Sequence, residues 1–178
     1  MQQRNKKTAY QLAYFGMLTA VAFLLGYVES LIPFSVGIYG VKLGLANLAV
    51  LIALYRLGAR EAFTVSFLRV FLTGFTFGNL SMMLYSLAGG TLSCIVMIVA
   101  RKYTRFSVTG VSILGGVFHN IGQLVVAVLV LQSVSLLFYG IVLLAAGTIT
   151  GFVIGLVAGK VLQHLPDVSV QDQGREDE

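Results

Sequence analysis

Apolar residues fill this chain in long stretches that follow one another with only short polar breaks. About 20 helical residues cross the hydrocarbon core of a bilayer. The stretches therefore predict six spans, at about 8–30, 42–57, 61–78, 80–100, 108–132 and 136–162. The second is short and the sixth long, which predicts local thinning, tilt or a re-entrant approach. Between the first two lies "LIPFSVGIYGV", with Pro33, Gly37 and Gly40, too short to span by itself. The expected fold is an all-α membrane protein, a bundle of six transmembrane helices over residues 1–165. Residues 166–178, "PDVSVQDQGREDE", read as a polar, disordered tail.

Composition agrees with that pattern. Of 178 residues 57% are hydrophobic and 11% charged, with a mean hydropathy of +0.89. A soluble domain carries about a quarter charged residues. "MQQRNKK" followed by an apolar run has the outline of a secretory signal. The run is too long for one and no small-residue cleavage site follows, so it reads as a retained first helix. Cys94 is the single cysteine, so no internal disulfide forms.

The placement of charge gives the orientation. Arg4, Lys6 and Lys7 precede span one; Arg56 and Arg60 separate spans two and three; Arg101, Lys102 and Arg105 separate four and five; Lys160 and Arg175 follow six. Ten of the 12 basic residues thus share one side, the exceptions being Lys42 and Arg69. By the positive-inside rule both termini of a multi-pass cell-membrane protein lie in the cytoplasm.

Small residues mark the helix faces that approach closely, because association in lipid depends on packing. Gly147, Gly151, Gly155 and Gly159 repeat every fourth residue in span six, and Gly74 and Gly78 end span three. These read as internal packing. Ala9, Ala13, Gly16 and Ala20 stripe span one, where internal packing and docking of a partner protein both stand.

"GGVFHNIGQLVV", residues 115–126, places three hydrogen-bonding side chains near mid-membrane. His119, Asn120 and Gln123 share one helical face by their spacing. Arg69 is equally deep in span three, where a charge normally faces the bundle interior or a water-filled cavity. Glu29, Lys42, Asn47, Asn79, Tyr85 and Ser86 lie nearer the outside, whereas the inner half is mostly apolar. This bias predicts a pocket open to the exterior. Helix-to-helix glue is the competing role: for Asn47, Asn79 and Gln123 the two stand equal, and for Arg69 and His119 the pocket is preferred. With Lys42, Arg69 and Glu29 charged, the set predicts a small anionic or zwitterionic solute.

Several chemistries lack their residues. His164 is far from His119 and Cys94 has no partner, so no metal constellation emerges, and no nucleophile–base pair is evident. "GLVAGKV" has neither the glycine spacing nor the hydroxyl residue of a phosphate loop. No cofactor is implied, and nothing points to nucleic acid.

"IPFSVGIYGVKLGLANLAVLIALYRLGAREAF" (32–63), "FGNLSMMLYSLAGGTLS" (77–93) and "GGVFHNIGQL" (115–124) resemble the signatures of the Gx transporter family. The likeness covers about residues 8–160. That family is similar, more weakly, to the substrate-binding S components of energy-coupling factor (ECF) transporters. The resemblance implies a six-helix protein that captures a small molecule from outside. It would dock through Ala9, Ala13, Gly16 and Ala20 onto a transmembrane scaffold driven by two ATPases. The 31–41 loop would act as a lid, and polar groups of spans two to five would bind substrate. The same family carries the label heptaprenyl diphosphate synthase component I. Prenyl transfer uses aspartate-rich motifs to hold magnesium and diphosphate; here Asp167, Asp172 and Asp177 are scattered in the tail. The alternatives to transport are therefore a non-catalytic membrane component beside such an enzyme, or a structural membrane subunit.

Overall fold

The computed structural model describes residues 2–31 and 44–166. They form six α-helices: α1 (Gln2–Leu31), α2 (Leu45–Arg56), α3 (Ala59–Phe77), α4 (Leu80–Tyr103), α5 (Val108–Leu131) and α6 (Gly140–His164). A short 3₁₀ helix, Val134–Tyr139, leads into α6. Among the described residues there is no strand. Lys42, most of the 31–41 loop and the acidic tail from Asp167 lie outside the described residues.

Four segments are long and apolar enough to cross a membrane: Ala9–Leu31, Leu80–Tyr103, Val108–Leu131 and Val134–His164. Their outward surfaces are oily. Phe75 is 77% exposed, Phe138 82% and Ile141 77%. A bilayer supplies the apolar surroundings that such surfaces need. The chain is a multi-pass membrane protein.

The remaining two helices differ for reasons visible in their residues. α2 has 12 residues, about 18 Å of helix. Seven of them are buried, from Ala46 to Leu54, because a helix apolar on every side belongs inside a bundle. α3 has 19 residues and carries Arg60, Glu61 and Arg69, which break its apolar character.

The turns are glycine-dependent at two places. Gly44 enters α2 with φ +70° and Gly58 separates α2 from α3 with φ +127°, conformations that side chains with a Cβ rarely adopt. Elsewhere side chains cap the helices. Ser107 accepts the Gly110 N–H at 3.2 Å to start α5.

Every helix contributes to one apolar core. Tyr14, Leu18, Leu51, Leu54, Leu57, Val65, Met97, Ala100, Val111 and Ala158 all belong to it. Most of them lie in the half of the bundle that bears the basic residues. Two arginines close that end. Arg56 donates from Nη2 to the carbonyls of Leu162 and, at 2.8 Å, Leu165 at the end of α6. Arg101 donates to the Leu54 carbonyl near the end of α2, with its guanidinium 4.7 Å from the Tyr55 ring centre. Helix C-termini leave carbonyls without intrahelical partners and carry partial negative charge, so a cation there satisfies both.

The glycines of α6 pack as expected for three of four. A Cβ on Gly147 would stand 2.7 Å from Gly116 O, and on Gly151 2.8 Å from Ile113 Cα. On Gly155 it would stand 2.6 Å from Thr109 Cα. Gly159 has nothing within 4 Å of its Cβ direction, so the close contact ends one turn early. In span three Gly74 faces Met83 of α4, while Gly78 lies beyond the helix as its extended C-cap.

Candidate polar site within the bundle

The larger buried polar side chains lie from mid-helix towards the end of the bundle away from the basic residues, while the buried Ser66, Ser93 and Ser112 lie on the basic side of mid-helix. Arg69 is 8% exposed, and His119, Asn120 and Gln123 are buried as well. α3 supplies Arg69; α5 supplies the other three from one face, as their spacing requires. α2 brings Asn47 to the same region, with Gly44 one turn before it.

A hydrogen-bonded chain runs across three helices. Glu29 Oε1, near the end of α1, accepts the Gly44 N–H at 2.6 Å. The Gly44 carbonyl accepts the Asn47 N–H at 2.8 Å. Asn47 Oδ1 then accepts from Arg69 Nη2 at 2.7 Å. Glu29 is also near enough to act on Arg69 electrostatically. Arg69 Nε is buried with no hydrogen-bond partner, so the guanidinium has donor capacity to spare.

The α5 residues divide between tasks. Asn120 Nδ2 donates to the Leu143 carbonyl at 2.7 Å, tying α5 to α6. His119 and Gln123 pack across Gly89 of α4, where a Cβ would meet Gln123 Cγ at 2.8 Å and His119 Cε1 at 3.2 Å. Gln123 Oε1 is buried without a partner.

A cavity of about 10 Å³ lies between α2, α4, α5 and α6, with Asn47, Ser112, His119, Asn120 and Thr150 as its polar lining. That volume suits about one water molecule. A larger ligand needs the surrounding helices to part. Arg69 and Gln123 do not line this cavity, so the polar set is divided rather than gathered around one space.

Other candidates sit apart. Asn79 is exposed and caps α4, accepting the Met82 N–H at 2.8 Å. Tyr85 is half-buried on α4, one turn before Gly89. Lys42 lies outside the described residues, which leaves Arg69 and Glu29 as the described charges of the set. The α1 stripe faces outward: Ala9, Ala13, Gly16 and Ala20 are all exposed, and a Cβ on Gly16 would meet nothing within 4 Å. Among the described residues no group of three or more His, Cys, Asp or Glu could hold a metal ion.

Ser112 and Thr150 were not foreseen as cavity residues. Both are ordinary helix residues in sequence, and only the close α5–α6 approach brings them to the void. The doublets Gly89–Gly90 and Gly115–Gly116 were the available signal for where α4, α5 and α6 come closest.

The family described as heptaprenyl diphosphate synthase component I matches residues 18–161, most of the membrane bundle. The chain belongs to this family. The matched stretch contains α2 to α5 and every described member of the polar cluster. No curated protein and no solved structure gives a significant match.

Proposed function

We propose that this chain is a non-catalytic membrane component whose polar half binds an anionic group. Arg69 carries the reading. It is a buried cation in the middle of a helix, hydrogen-bonded to one neutral oxygen, with only the half-buried Glu29 carboxylate acting on it from a distance and with a donor unused. Burying a charge is costly unless it is paired, and an anionic ligand is the partner that would complete it.

Two settings fit this chemistry. The family description supports the first more directly: a membrane component acting beside a heptaprenyl diphosphate synthase. Catalysis would belong to the partner enzyme, because the three aspartates of this chain are scattered in its tail. The second setting is uptake, in which six spanning helices with cytoplasmic termini capture a small anionic or zwitterionic solute. The outward stripe Ala9, Ala13, Gly16 and Ala20 supports it as a docking face for an ECF-type scaffold with two ATPases. Glu29, Lys42, Asn47, Tyr85, His119, Asn120 and Gln123 would then surround the solute with Arg69, and Asn79 would stand at the rim.

The experiment is purification from native membranes with identification of bound small molecules and proteins. Thermal-shift assays with anionic, zwitterionic and cationic solutes follow. A co-purifying prenyl diphosphate synthase supports the first setting; a transmembrane scaffold with ATPases supports the second. Stabilisation by cations alone would sink the anion reading. Stabilisation by no solute, with neither partner present, would leave a structural subunit.

A further inference from the structure

A second crevice lies on the α3–α4 seam. Phe63, Ser66, Phe67 and Val70 of α3 oppose Leu87, Gly90 and Thr91 of α4 across a void of about 10 Å³. Phe63 and Phe67 are 39% and 44% exposed, so the crevice borders the lipid-facing surface. Its floor is Gly90, which is buried and has no side chain to close it. A Cβ there would stand 3.4 Å from Ser66 Oγ and 3.8 Å from Arg69 Nη2. The width of one missing side chain thus separates an oily crevice from the buried guanidinium.

We propose that this crevice seats the hydrocarbon chain of an amphiphilic anion. The head, a carboxylate or phosphate, reaches Arg69, and a single unbranched chain runs out past Gly90 between Phe67 and Leu87 into the bilayer. The proposal rests on the anion reading of Arg69 and deepens it by naming the ligand class. Charge complementarity selects the head: the guanidinium atom nearest Gly90 is Nη2, which also donates to Asn47 Oδ1, and Nε of the same group has a donor free of protein partners. The walls, apolar but for Ser66 and Thr91, select the tail, which never has to enter water on its way from the membrane. The void is narrow, so Phe63 and Phe67 turn towards lipid as the chain enters.

The test uses the full-length protein in nanodiscs of neutral phospholipid. Ethyl phosphate, dodecyl phosphate, acetate and dodecanoate are the probes, and affinity is read by thermal stabilisation. At least one long-chain probe should bind about tenfold or more tightly than its short partner. Arg69→Gln should weaken that binding by roughly ten- to a hundredfold, which membrane partitioning alone would not do. Gly90→Leu should abolish the chain-length advantage. A dodecyl phosphate or dodecanoate carrying a terminal diazirine should label residues 63–70 or 87–91 in the wild-type protein, a readout that needs no variant to fold. Equal affinity for short and long probes overturns the crevice and leaves the anion reading standing. No binding of any probe overturns both. Long-chain binding indifferent to Arg69→Gln, or labelling confined to other helices, also overturns the proposal.

Discussion

Arg69 is the residue whose presence most needs a reason. A charge buried without a close counter-ion is costly, and the fold returns a single hydrogen bond to Asn47 and a longer-range attraction from the half-buried Glu29. Arg69→Gln should therefore leave the melting temperature of purified protein unchanged or raised, since it removes a buried charge. The same variant should weaken anion binding by roughly ten- to a hundredfold, the worth of a hydrogen bond to a charged group. A folded-state loss instead, with no monodisperse product in size-exclusion chromatography, would make Arg69 structural. Asn120 carries the opposite expectation. One of its two amide hydrogens is donated to the Leu143 carbonyl, so Asn120→Ala should cost about 0.6–1.7 kcal/mol of stability, read as a lowered melting temperature. An unchanged melting temperature would show that the bond contributes nothing.

At the scale of elements, glycine decides how near the helices come. α5 is approached from two sides: Gly122 lies against the α4 backbone, where a Cβ would meet Ala88 O at 2.8 Å, and Gly116 lies against α6. Backbone cannot swing aside as a long side chain does. Gly151→Ala should therefore destabilise by about 1–3 kcal/mol, as overpacking does. Gly159→Ala and Gly16→Ala meet open space and should be neutral or stabilising by up to about 1 kcal/mol through helix propensity. Thermal unfolding in one detergent compares all three, and equal effects would contradict the packing argument. Gly16→Leu and Ala20→Leu separate the roles of α1. Both should leave the isolated protein folded, and in the uptake setting both should abolish co-purification of the scaffold. Full assembly of both variants would show that the stripe only faces lipid.

The whole molecule is polarised along its length. One end packs an apolar core beneath Arg56 and Arg101, which satisfy the last carbonyls of α6 and α2. The other end holds Glu29, Asn47 and Arg69 in one hydrogen-bonded chain. The positive-inside rule predicts a cytoplasmic basic end, which would turn the polar half to the exterior. Reporter fusions after Lys7, near Gly37 and after Pro166 should therefore report inside, outside and inside. An external signal from either terminal fusion would reverse the molecule and bring the polar half to the cytoplasmic side.

Much of this was legible in the chain itself. Long apolar runs specify helices because a bilayer leaves the backbone no other way to satisfy its polar groups, and most helix ends fall near the breaks in hydropathy, although α1 runs back through the basic segment to Gln2 and α6 begins only at Gly140, after a 3₁₀ turn. The four-residue spacing of glycines in α6 marked a packing face, since helical period alone puts those residues in one row. His119, Asn120 and Gln123 were placed on one face by the same period. Which partners those side chains meet is a different matter, set by helices far apart in sequence. Asn79 became a cap because a helix happens to begin after it, and Asn120 became a tie because the Leu143 carbonyl lies opposite. Gly90 became the floor of a crevice because α3 brings Arg69 behind it. Period and hydropathy are local properties of the sequence; contact between helices depends on their rotation and offset, which only the packed bundle decides.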